Sequence, residues 1–528
     1  MCVFVRGAYF MRYGREVLIN IRVVSFIYVS YTNTTHTSLN KYDDIIMHLS
    51  SSSSVTSLNS WSSLSSFSSK TTPRTRTRTS ANSSTSSSSS SSTISERKGQ
   101  PIKPGQSYPA KEHCSNCGLC DTSLISYVKD ACAFLGPGMS RIEKLEEKVH
   151  GKRRNTETDE LRLGVLFNSD TKDNTNNSSQ SIFYAKKKQP MEKAQWTGIV
   201  TSVALEMLRT KTVDCVVAVG SGEADARNPE PKLCFTEEDI LACRGVKPSL
   251  SPNLKVFAEI ETNPEIKNVL YIGVGCSVVA LREVEQYLGL DNLYVLGTNC
   301  ADNGRTDGFY KFVNNATDKP DEVLHYEFMP DYKVHLKMRD GSYEKIPYFS
   351  LPAKELSSGV IAESCKSCFD YVNGLADLVV GYMGVDYDES IPMNLHPQYV
   401  TVRNERGQKM IDLIKNDLQI TPSTTRGDRK PFVLQTVISD DEAYLGRGPE
   451  KGAPRFVGNL IAWVLNKVGP KGKEFGMYSL DYHTIRNYLY VNRIYGKERA
   501  KEHIPSYAMK IVEEYEGKNG DISKRLEL

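Results

Sequence analysis

Three cysteines at a fixed spacing constrain this chain more than any other feature of its sequence. Cys114, Cys117 and Cys120 form a Cys-x2-Cys-x2-Cys frame, Gly118 lies inside the frame, and Cys132 follows within one helix length. Three thiolates from one tight loop can converge on a single centre, and no helical or strand repeat of apolar residues produces this spacing. The frame is typical of cysteines that bind an iron–sulfur cluster, so we predict a [4Fe–4S] site here.

Zinc is the alternative at these four cysteines, because it also binds four thiolates. Its usual frame consists of two separated Cys-x2-Cys pairs, which differs from the triple spacing of this chain. Bacterial ferredoxins place a Cys-Pro step soon after the third cysteine, and that step is missing here. The fourth ligand is therefore either Cys132 or a cysteine from elsewhere. A zinc-stabilised interaction protein stays open as a second class of function.

The first hundred residues differ in composition from the rest of the 528-residue chain. Residues 47–93 are dominated by serine, and their charged side chains are Lys and Arg without any Asp or Glu. Such a segment buries too little apolar surface to fold, so we predict disorder. The basic, acid-poor composition is typical of an organelle transit peptide, with a plain disordered linker as the alternative. We expect the natural start at Met47, which leaves residues 1–46 as an extension.

Composition also limits the classes of function. The formal net charge is +3, which argues against nucleic-acid binding. No stretch has the eighteen or so uninterrupted apolar residues of a transmembrane helix, so none is predicted. The twelve cysteines include two sets with ligand-like positions, which favours metal binding over disulfides in a reducing compartment.

Buried strands and amphipathic helices alternate in the middle of the chain, which predicts an α/β core. Residues 199–208 have helical periodicity, and residues 213–219 form a β-branched run typical of a buried strand. Residues 268–304 are predicted as one βαβ unit with glycine-rich turns at the ends of its strands. Ligands of open α/β sheets bind at such strand ends, so we expect a cofactor there.

The remainder is predicted from shorter patterns. Asp340-Gly341 between alternating runs indicates a β-meander over residues 324–349. Further strands are predicted over residues 161–167, 376–382 and 399–402, and helices over residues 409–418, 456–468, 482–494 and 507–515. We therefore predict an α/β core with βαβ units, an added β-meander, an N-terminal iron–sulfur segment and a helical C-terminal part. The predicted divisions are residues 1–100, 101–160, 161–420 and 421–528.

A second set of cysteines lies near the predicted strand ends: Cys276, Cys300, Cys365 and Cys368. Turns at the carboxyl ends of neighbouring parallel strands meet at one edge of a sheet. From spacing alone, a second cluster and a group of inert buried thiols are equally consistent with these positions. Three other cysteines show no such grouping: Cys215, Cys234 and Cys243.

Candidate groups for proton transfer and partner docking are weaker in the sequence. His483 and Asp302 are candidate proton donors, although a histidine packed in an aromatic helix is the alternative for His483. The basic run at residues 152–154 is either a solvated face or a docking site for an acidic partner such as ferredoxin.

Together these motifs resemble the beta subunit family of deazaflavin-reducing hydrogenases, and residues 110–525 are similar to its plant members. The resemblance is carried by residues 114–121, 273–282, 297–300 and 365–378. It implies FAD and two [4Fe–4S] clusters, with the second cluster on Cys276, Cys300, Cys365 and Cys368. This chain has Gly-Val-Gly-Cys-Ser at residues 273–277, where the family has Gly-Thr-Pro-Cys-Gln, and it lacks the glutamine.

The resemblance also implies an oxidoreductase that takes electrons from reduced ferredoxin and reduces a hydroxymethyl group on a chlorophyll-type tetrapyrrole. Such an enzyme belongs to the chlorophyll cycle and to chlorophyll b degradation in the chloroplast, in the stroma or at the thylakoid surface. Other chlorophyll-degrading enzymes and further copies of the chain are the expected additional partners. Another ferredoxin–flavin oxidoreductase of the same family is the alternative. We assign the FAD contacts to turns and helix starts: Thr197, Gly198, Gly273, Gly275, Thr298, Asn299, Asn303 and Arg403.

Overall fold

The structure, a computed structural model, describes residues 98–167, 181–222, 225, 227–517 and 522–528. The predicted transit peptide and its disorder, and the expected start at Met47, lie outside these residues. Within the described ranges, no helix is both long enough and apolar enough to cross a membrane. The division of the chain into four segments stays a prediction.

The strands that the structure describes are β1 (Ile182–Lys187), β2 (Cys215–Ser221), β3 (Pro229–Cys234), β4 (Asn268–Gly273), β5 (Asn292–Gly297), β6 (Val323–Met329), β7 (Lys333–Met338), β8 (Tyr343–Pro347), β9 (Leu378–Gly381), β10 (Gln398–Val402), β11 (Leu418–Thr421), β12 (Thr425–Arg426) and β13 (Lys471–Gly472).

The α-helices of the same ranges are α1 (Val128–Ala131), α2 (Ile142–His150), α3 (Glu160–Leu163), α4 (Ile199–Arg209), α5 (Glu237–Ala242), α6 (Phe257–Thr262), α7 (Gly275–Val284), α8 (Thr306–Ala316), α9 (Ala353–Leu356), α10 (Glu363–Lys366), α11 (Glu405–Asp412), α12 (Lys430–Tyr444), α13 (Arg455–Val468), α14 (Lys473–Tyr495), α15 (Lys497–His503), α16 (Ser506–Glu513) and α17 (Ile522–Arg525).

Eight strands form one mixed sheet in the order β11-β1-β10-β9-β5-β4-β2-β3. The four strands β9, β5, β4 and β2 are parallel to one another at the centre. Antiparallel strands flank them, with β3 on one side and β10, β1 and β11 on the other. The predicted α/β core is confirmed in this mixed form. The predicted βαβ unit is confirmed as β4–α7–β5, whose strands pair from Asn268 with Asn292 to Gly273 with Gly297.

The central strands are apolar on both sides because helices cover both faces of the sheet. Val217, Val269 and Val295 pack on one face with residues of α7, α14 and α16. Neighbouring residues such as Val216 and Leu270 point to the other face, where α4 and α11 cover them. This arrangement places the carboxyl ends of β4 and β5 below the C-terminal helices.

The β-meander is also confirmed. Strands β6, β7 and β8 form a separate antiparallel sheet, and the turn between β7 and β8 contains Asp340 and Gly341. Gly341 has a φ of +90°, a conformation that glycine adopts without steric cost. Helices are present in the C-terminal part as predicted. The additional helix α12 was not predicted, because its apolar residues are spread around the helix without a clear stripe.

One element prediction is wrong, and another is confirmed with different bounds. The strand expected over residues 161–167 is the short helix α3 followed by a coil. The buried carboxylate of Glu160 accepts hydrogen bonds from the backbone N–H groups of Asn155 and Leu166, and these bonds close a tight turn. The helix expected over residues 409–418 is α11, which begins earlier because the side chain of Asn404 caps its first turn, and which ends at Asp412.

A buried ion pair connects the elements around the βαβ unit. Arg282 of α7 donates to Asp377 at 2.8 Å, and both side chains are fully buried. The other oxygen of Asp377 accepts from the backbone N–H of Val295 at 2.8 Å. The side chain of Asn404 donates to Asp377 at 2.7 Å. Removing one partner of such a pair leaves an uncompensated charge in the interior.

We therefore expect Asp377→Ala to lower the free energy of unfolding by about 3 kcal/mol, because Arg282 loses its fully buried partner and keeps only the partly buried Glu285, 3.0 Å away. Urea unfolding under anaerobic conditions measures this change. The control is Glu450→Ala, which removes the exposed partner of Lys354 and should leave the unfolding midpoint unchanged. Equal midpoints for the two variants would contradict the role given to Asp377.

Candidate functional site

A cavity of about 300 Å³ lies beside the carboxyl end of β5. Its volume is at the lower end of the range of small-molecule sites in proteins. The turn after β5, the β-meander and α14 supply most of its polar and aromatic walls: Asn299, Asp302, Asn303, Tyr326, Glu327, Phe328, Tyr348, Tyr371, Tyr382, His483, Arg486 and Tyr490. We call it the aromatic cavity. Its aromatic walls suit a flat ring system.

The turn after β5 approaches the end of β9 closely. A Cβ atom at Gly381 would lie 2.2 Å from Oδ1 of Asn299, so a larger residue there would displace the Asn299 side chain. Oδ1 of Asn299 is buried and accepts no hydrogen bond from the described residues. An unsatisfied amide oxygen in the wall of a cavity suits a ligand that donates a hydrogen bond.

The two candidate proton donors meet in the aromatic cavity. Nδ1 of His483 lies 2.6 Å from the backbone carbonyl of Ser479, which can only accept, so this nitrogen carries a proton. Nε2 of His483 lies 3.4 Å from Asp302 Oδ2. Arg486 donates to both oxygens of Asp302, at 2.6 and 2.7 Å. The imidazole is therefore held at both nitrogens.

These contacts change the interpretation of Asp302. Burial opposes the ionisation of this carboxyl, but Arg486 outweighs burial and holds the pKa of Asp302 well below its usual range. Its backbone has a φ of +147°, which residues other than glycine rarely adopt. As a stable carboxylate, Asp302 is suited to orient His483 and Arg486 and unsuited to donate a proton.

The second set of cysteines lines a separate small cavity, which we call the thiol cavity. Cys276 lies in the first turn of α7, Cys300 follows β5, and Cys365 and Cys368 belong to α10 and the turn after it. The structure therefore brings these four residues together at the edge of the sheet where the turns after β4 and β5 meet. Asp302 and Tyr371 line both the thiol cavity and the aromatic cavity.

The first set of cysteines also lies together. Cys117, Cys120 and Cys132 are close enough to neighbouring thiols for each of their pKa values to be raised by them, after burial. Cys276 contributes to the rise at Cys117, so the two sets are neighbours. Gly118 has a φ of +91°, and a Cβ there would lie 2.5 Å from the carbonyl oxygen of Pro252. The sharp turn in the frame therefore requires glycine.

Backbone N–H groups point at several of these sulfurs. The N–H groups of Asn116 and Asp370 donate to Cys114 and Cys368 at 3.4 Å. Burial raises the pKa values of the thiols, to about 12 for Cys120, Cys276 and Cys300. The thiols are therefore neutral until a cation ionises them, and the N–H donors suit the thiolates that then form.

The spacing of the thiols bears on which metal they suit. In the described part of the chain, no three His, Cys, Asp or Glu side chains are grouped in a way that would bind a single metal ion. A four-iron cluster distributes its thiolates over four iron atoms and so does not require them to converge on one point. The donor set of eight thiols, of which Cys114 and Cys368 have backbone N–H partners, is chemically suited to such clusters.

The predicted FAD contacts are divided between these sites. Asn299 and Asn303 line the aromatic cavity, and Gly275 lines the thiol cavity. The other five line neither cavity: Thr197, Gly198, Gly273, Thr298 and Arg403. The guanidinium of Arg403 is buried and donates to three backbone carbonyls, of Leu163, Val165 and Val372. These bonds give Arg403 a structural position between chain segments.

The basic run at residues 152–154 is less available for docking than its sequence suggests. Arg154 is buried, donates to the buried carboxylate of Glu146 at 2.8 Å, and lies over the ring of Tyr507. Lys152 and Arg153 are paired with Glu160 and Glu147. Arg154 thus stabilises the packing of the N-terminal segment on α16.

Glu327 is a functional candidate that the sequence does not reveal. It alternates with Tyr326 and Phe328 in β6, a pattern that would place it in solvent, yet it is buried in the wall of the aromatic cavity. Gln195 donates to its carboxylate at 3.1 Å. Burial raises the pKa of Glu327 to about 7, so the carboxyl can hold a proton near neutral pH.

Family models match two consecutive parts of the chain. Residues 182–258 match the N-terminal part, and residues 266–426 the C-terminal part, of the coenzyme F420 hydrogenase/dehydrogenase beta subunit. The 7-hydroxymethyl chlorophyll a reductase of Oryza sativa, described as chloroplastic, is 56% identical over 81% of this chain and 88% of that protein.

More distant relatives come from prokaryotes. An uncharacterised protein of the cyanobacterium Nostoc sp. is 43% identical over 79% of this chain and 97% of its own length. The coenzyme F420 hydrogenase subunit beta of Methanococcus voltae is 27% identical over 43% of this chain and 78% of that subunit.

The raised pKa of Glu327 predicts a pH dependence of stability. The folded chain holds this proton up to about pH 7, whereas the unfolded chain releases it near the ordinary value of 4.5. Stability should therefore fall as the pH rises from about 4.5 to about 7, by up to about 3 kcal/mol. The variant Glu327→Gln lacks this ionisation and should lose correspondingly less stability over the same interval.

Urea unfolding at about pH 5 and about pH 8 measures this difference. The matched control is Glu322→Gln, because Glu322 is exposed just before β6 and its replacement should leave the wild-type pH dependence intact. If Glu327→Gln and wild type lose the same stability between the two pH values, the assignment of a buried, protonated carboxyl is wrong.

Proposed function

The chain belongs to the coenzyme F420 hydrogenase/dehydrogenase beta subunit family, and on this basis we propose that it is an iron–sulfur flavoprotein of the chloroplast. We propose that it reduces 7-hydroxymethyl chlorophyll a to chlorophyll a with electrons from reduced ferredoxin. The rice relative bears the name of that reaction and is similar over most of both chains. The observation that carries the proposal is the thiol cavity beside the aromatic cavity, with Asp302 and Tyr371 in both walls.

The two cysteine sets would hold two [4Fe–4S] clusters. Cys114, Cys117, Cys120 and Cys132 form the first ligand set, and Cys276, Cys300, Cys365 and Cys368 form the second. Neutral buried thiols lose their protons when iron binds, because the cation stabilises the thiolate. The second set shares walls with the aromatic cavity, so we propose that electrons enter at the first set and leave at the second.

The aromatic cavity would hold the ring system of FAD, and its volume of about 300 Å³ leaves the larger tetrapyrrole to bind outside it. FAD, when bound, converts single electrons into a two-electron reduction of the substrate. The unsatisfied oxygen of Asn299 is placed to accept a hydrogen bond from a bound ring. The aromatic side chains exclude water and present flat apolar surfaces, which suits a planar ring system.

Loss of the hydroxyl group as water requires a proton at its oxygen. We propose His483 as the donor, because the carbonyl of Ser479 fixes its Nδ1 proton and Nε2 faces the cavity beside Asp302. Donation from Nε2 uses the imidazolium form of His483, and the carboxylate of Asp302 holds the orientation of the ring. Glu327 is a further candidate in the cavity, because its carboxyl can hold a proton near neutral pH.

The reaction is tested by anaerobic incubation of the purified protein with reduced ferredoxin and 7-hydroxymethyl chlorophyll a, followed by chromatography of the pigments. We expect chlorophyll a as product. His483→Gln should lower the turnover at least about a hundredfold, because glutamine cannot donate the proton, while flavin and iron contents stay unchanged. A loss in Glu327→Gln with none in His483→Gln would assign the donor to Glu327.

If reduced ferredoxin reduces the bound flavin and no chlorophyll a forms, the substrate assignment is wrong. The chain would then be another ferredoxin–flavin oxidoreductase of the same family. A protein that contains neither flavin nor iron would contradict the redox function as a whole.

The two clusters are tested by metal content. Cys117→Ser and Cys365→Ser should each lower the iron and sulfide content by about half, because each removes a ligand of a different cluster. The control is Cys215→Ser, since Cys215 is buried in β2 outside both sets and its replacement should leave the iron content unchanged. Zinc in place of iron would favour a zinc-stabilised interaction protein. Unchanged iron content in Cys117→Ser or in Cys365→Ser would refute the cluster proposed at the set to which that cysteine belongs.

A further inference from the structure

Two cysteines outside both proposed cluster sites lie side by side. Cys234 is the last residue of β3, and Cys243 directly follows α5. Their Sγ atoms are 3.8 Å apart. Their sequence positions do not indicate this contact, which forms because α5 returns the chain to β3.

The contact is held by the structure on either side of it. Thr236 and Asp239 form reciprocal side-chain to backbone hydrogen bonds that fix the start of α5 two residues after Cys234. Asp239 also forms an ion pair with Lys232 of β3 at 2.9 Å. At the other end of the helix, the N–H of Cys243 donates to the carbonyl of Asp239 at 3.2 Å. Both sulfurs are therefore held by regular structure.

The two thiols differ in exposure. Cys234, at the end of the edge strand β3, is fully buried, whereas Cys243 is only partly buried. Cys243 is therefore the more accessible residue of the pair, and the sulfur of Cys234 lies 3.8 Å from its sulfur. This is the arrangement of a nucleophilic and a resolving cysteine.

The charges around the pair favour a thiolate at the accessible position. The thiols of Cys234 and Cys243 are within hydrogen-bonding distance, and either can donate to the other. This contact and the ammonium groups of Lys247 and Lys232 outweigh burial and the opposing charge of Asp239, and they lower the pKa of Cys243 below its usual value. The ammonium of Lys247 is fixed in place by the backbone carbonyls of Cys243, Arg244 and Gly245.

We propose that Cys234 and Cys243 are a redox-active dithiol that closes to a disulfide when it meets an oxidising disulfide. The sulfurs need to approach by less than about 2 Å to reach bonding distance. Because the site is outside both cysteine sets, it would operate independently of any cluster.

The exchange balances without any further reagent. The Cys243 thiolate attacks one sulfur of the oxidant, breaks its S–S bond and releases one thiol. Cys234 then loses its proton and attacks the Cys243 sulfur of the mixed disulfide, which releases the second thiol. Two electrons and two protons pass from the cysteine pair to the oxidant, and a reducing dithiol reverses both steps.

The test uses the intact cofactor-containing protein, equilibrated anaerobically with mixtures of oxidised and reduced dithiothreitol, alkylated and digested with trypsin. Cleavage after Lys232 and Arg244 gives one peptide, residues 233–244, that contains both cysteines and no others. As the mixture becomes oxidising, we expect this peptide to change from the doubly alkylated form to an unalkylated form. The mass of that form should be two hydrogens below the mass of the reduced, unalkylated peptide. A doubly alkylated peptide at every ratio would overturn the proposal.

A synthetic peptide of residues 233–244 shows whether the fold builds the site. The native protein should reach half-conversion at a ratio of oxidised to reduced reagent at least about tenfold lower than the free peptide requires, because its sulfurs are already adjacent. Equal ratios would overturn the claim that the structure prepares the pair.

Variants complete the test. Cys243→Ser and Cys234→Ser should each abolish the unalkylated form, whereas Cys215→Ser should leave it unchanged, because Cys215 lies in β2 outside the pair. A disulfide between either cysteine and a residue outside the peptide would also overturn the proposal. The mass of the wild-type peptide decides the question without depending on how any variant folds.

Discussion

The site depends on one buried carboxylate, that of Asp377. Through Arg282 it holds α7, which begins beside Cys276, and through the N–H of Val295 it holds β5, which leads to Cys300. Asp377 therefore connects the two elements on which Cys276 and Cys300 depend. A fully buried ion pair contributes little net stability but fixes relative positions tightly, because each partner is costly to leave unpaired.

Positioning of this kind matters because the thiols do not organise themselves. Burial raises their pKa values, so without a cation they are neutral groups with weak mutual attraction. The scaffold must therefore bring eight thiols together before the metal contributes any energy. Backbone N–H groups already aimed at Cys114 and Cys368 stabilise the thiolates once they form. The same preorganisation places the second set against the wall of the aromatic cavity, where Asp302 and Tyr371 separate the two spaces.

Local patterns predict the parts of this fold that depend on neighbouring residues. The boundaries of β4 and β5 follow from their apolar runs and terminal glycines, and the meeting of Cys276 and Cys300 follows from parallel strands ending at one edge. The strand predicted over residues 161–167 is wrong because the apolar pattern does not show the hydrogen bonds of Glu160. The N–H groups of Asn155 and Leu166 donate to its carboxylate, and these bonds form a turn in this stretch. Arg403 was predicted as an FAD contact. Its guanidinium instead donates to three backbone carbonyls that are distant in sequence, so local patterns could not indicate them.

The chain thus contains thiols in two electrostatic environments, and the difference is a matter of geometry. The cluster thiols are surrounded by one another and by buried surface, so their ionisation requires an added cation. Cys243 instead has two lysine ammonium groups and the thiol of Cys234 as neighbours, and these can stabilise its thiolate within the protein. Sequence spacing could not separate these cases, since Cys234 and Cys243 come together only through the capping of a six-residue helix. The proposed cluster binding at eight cysteines and the proposed disulfide exchange at two others are therefore compatible in one chain, because the first requires an added cation and the second uses cationic side chains of the protein.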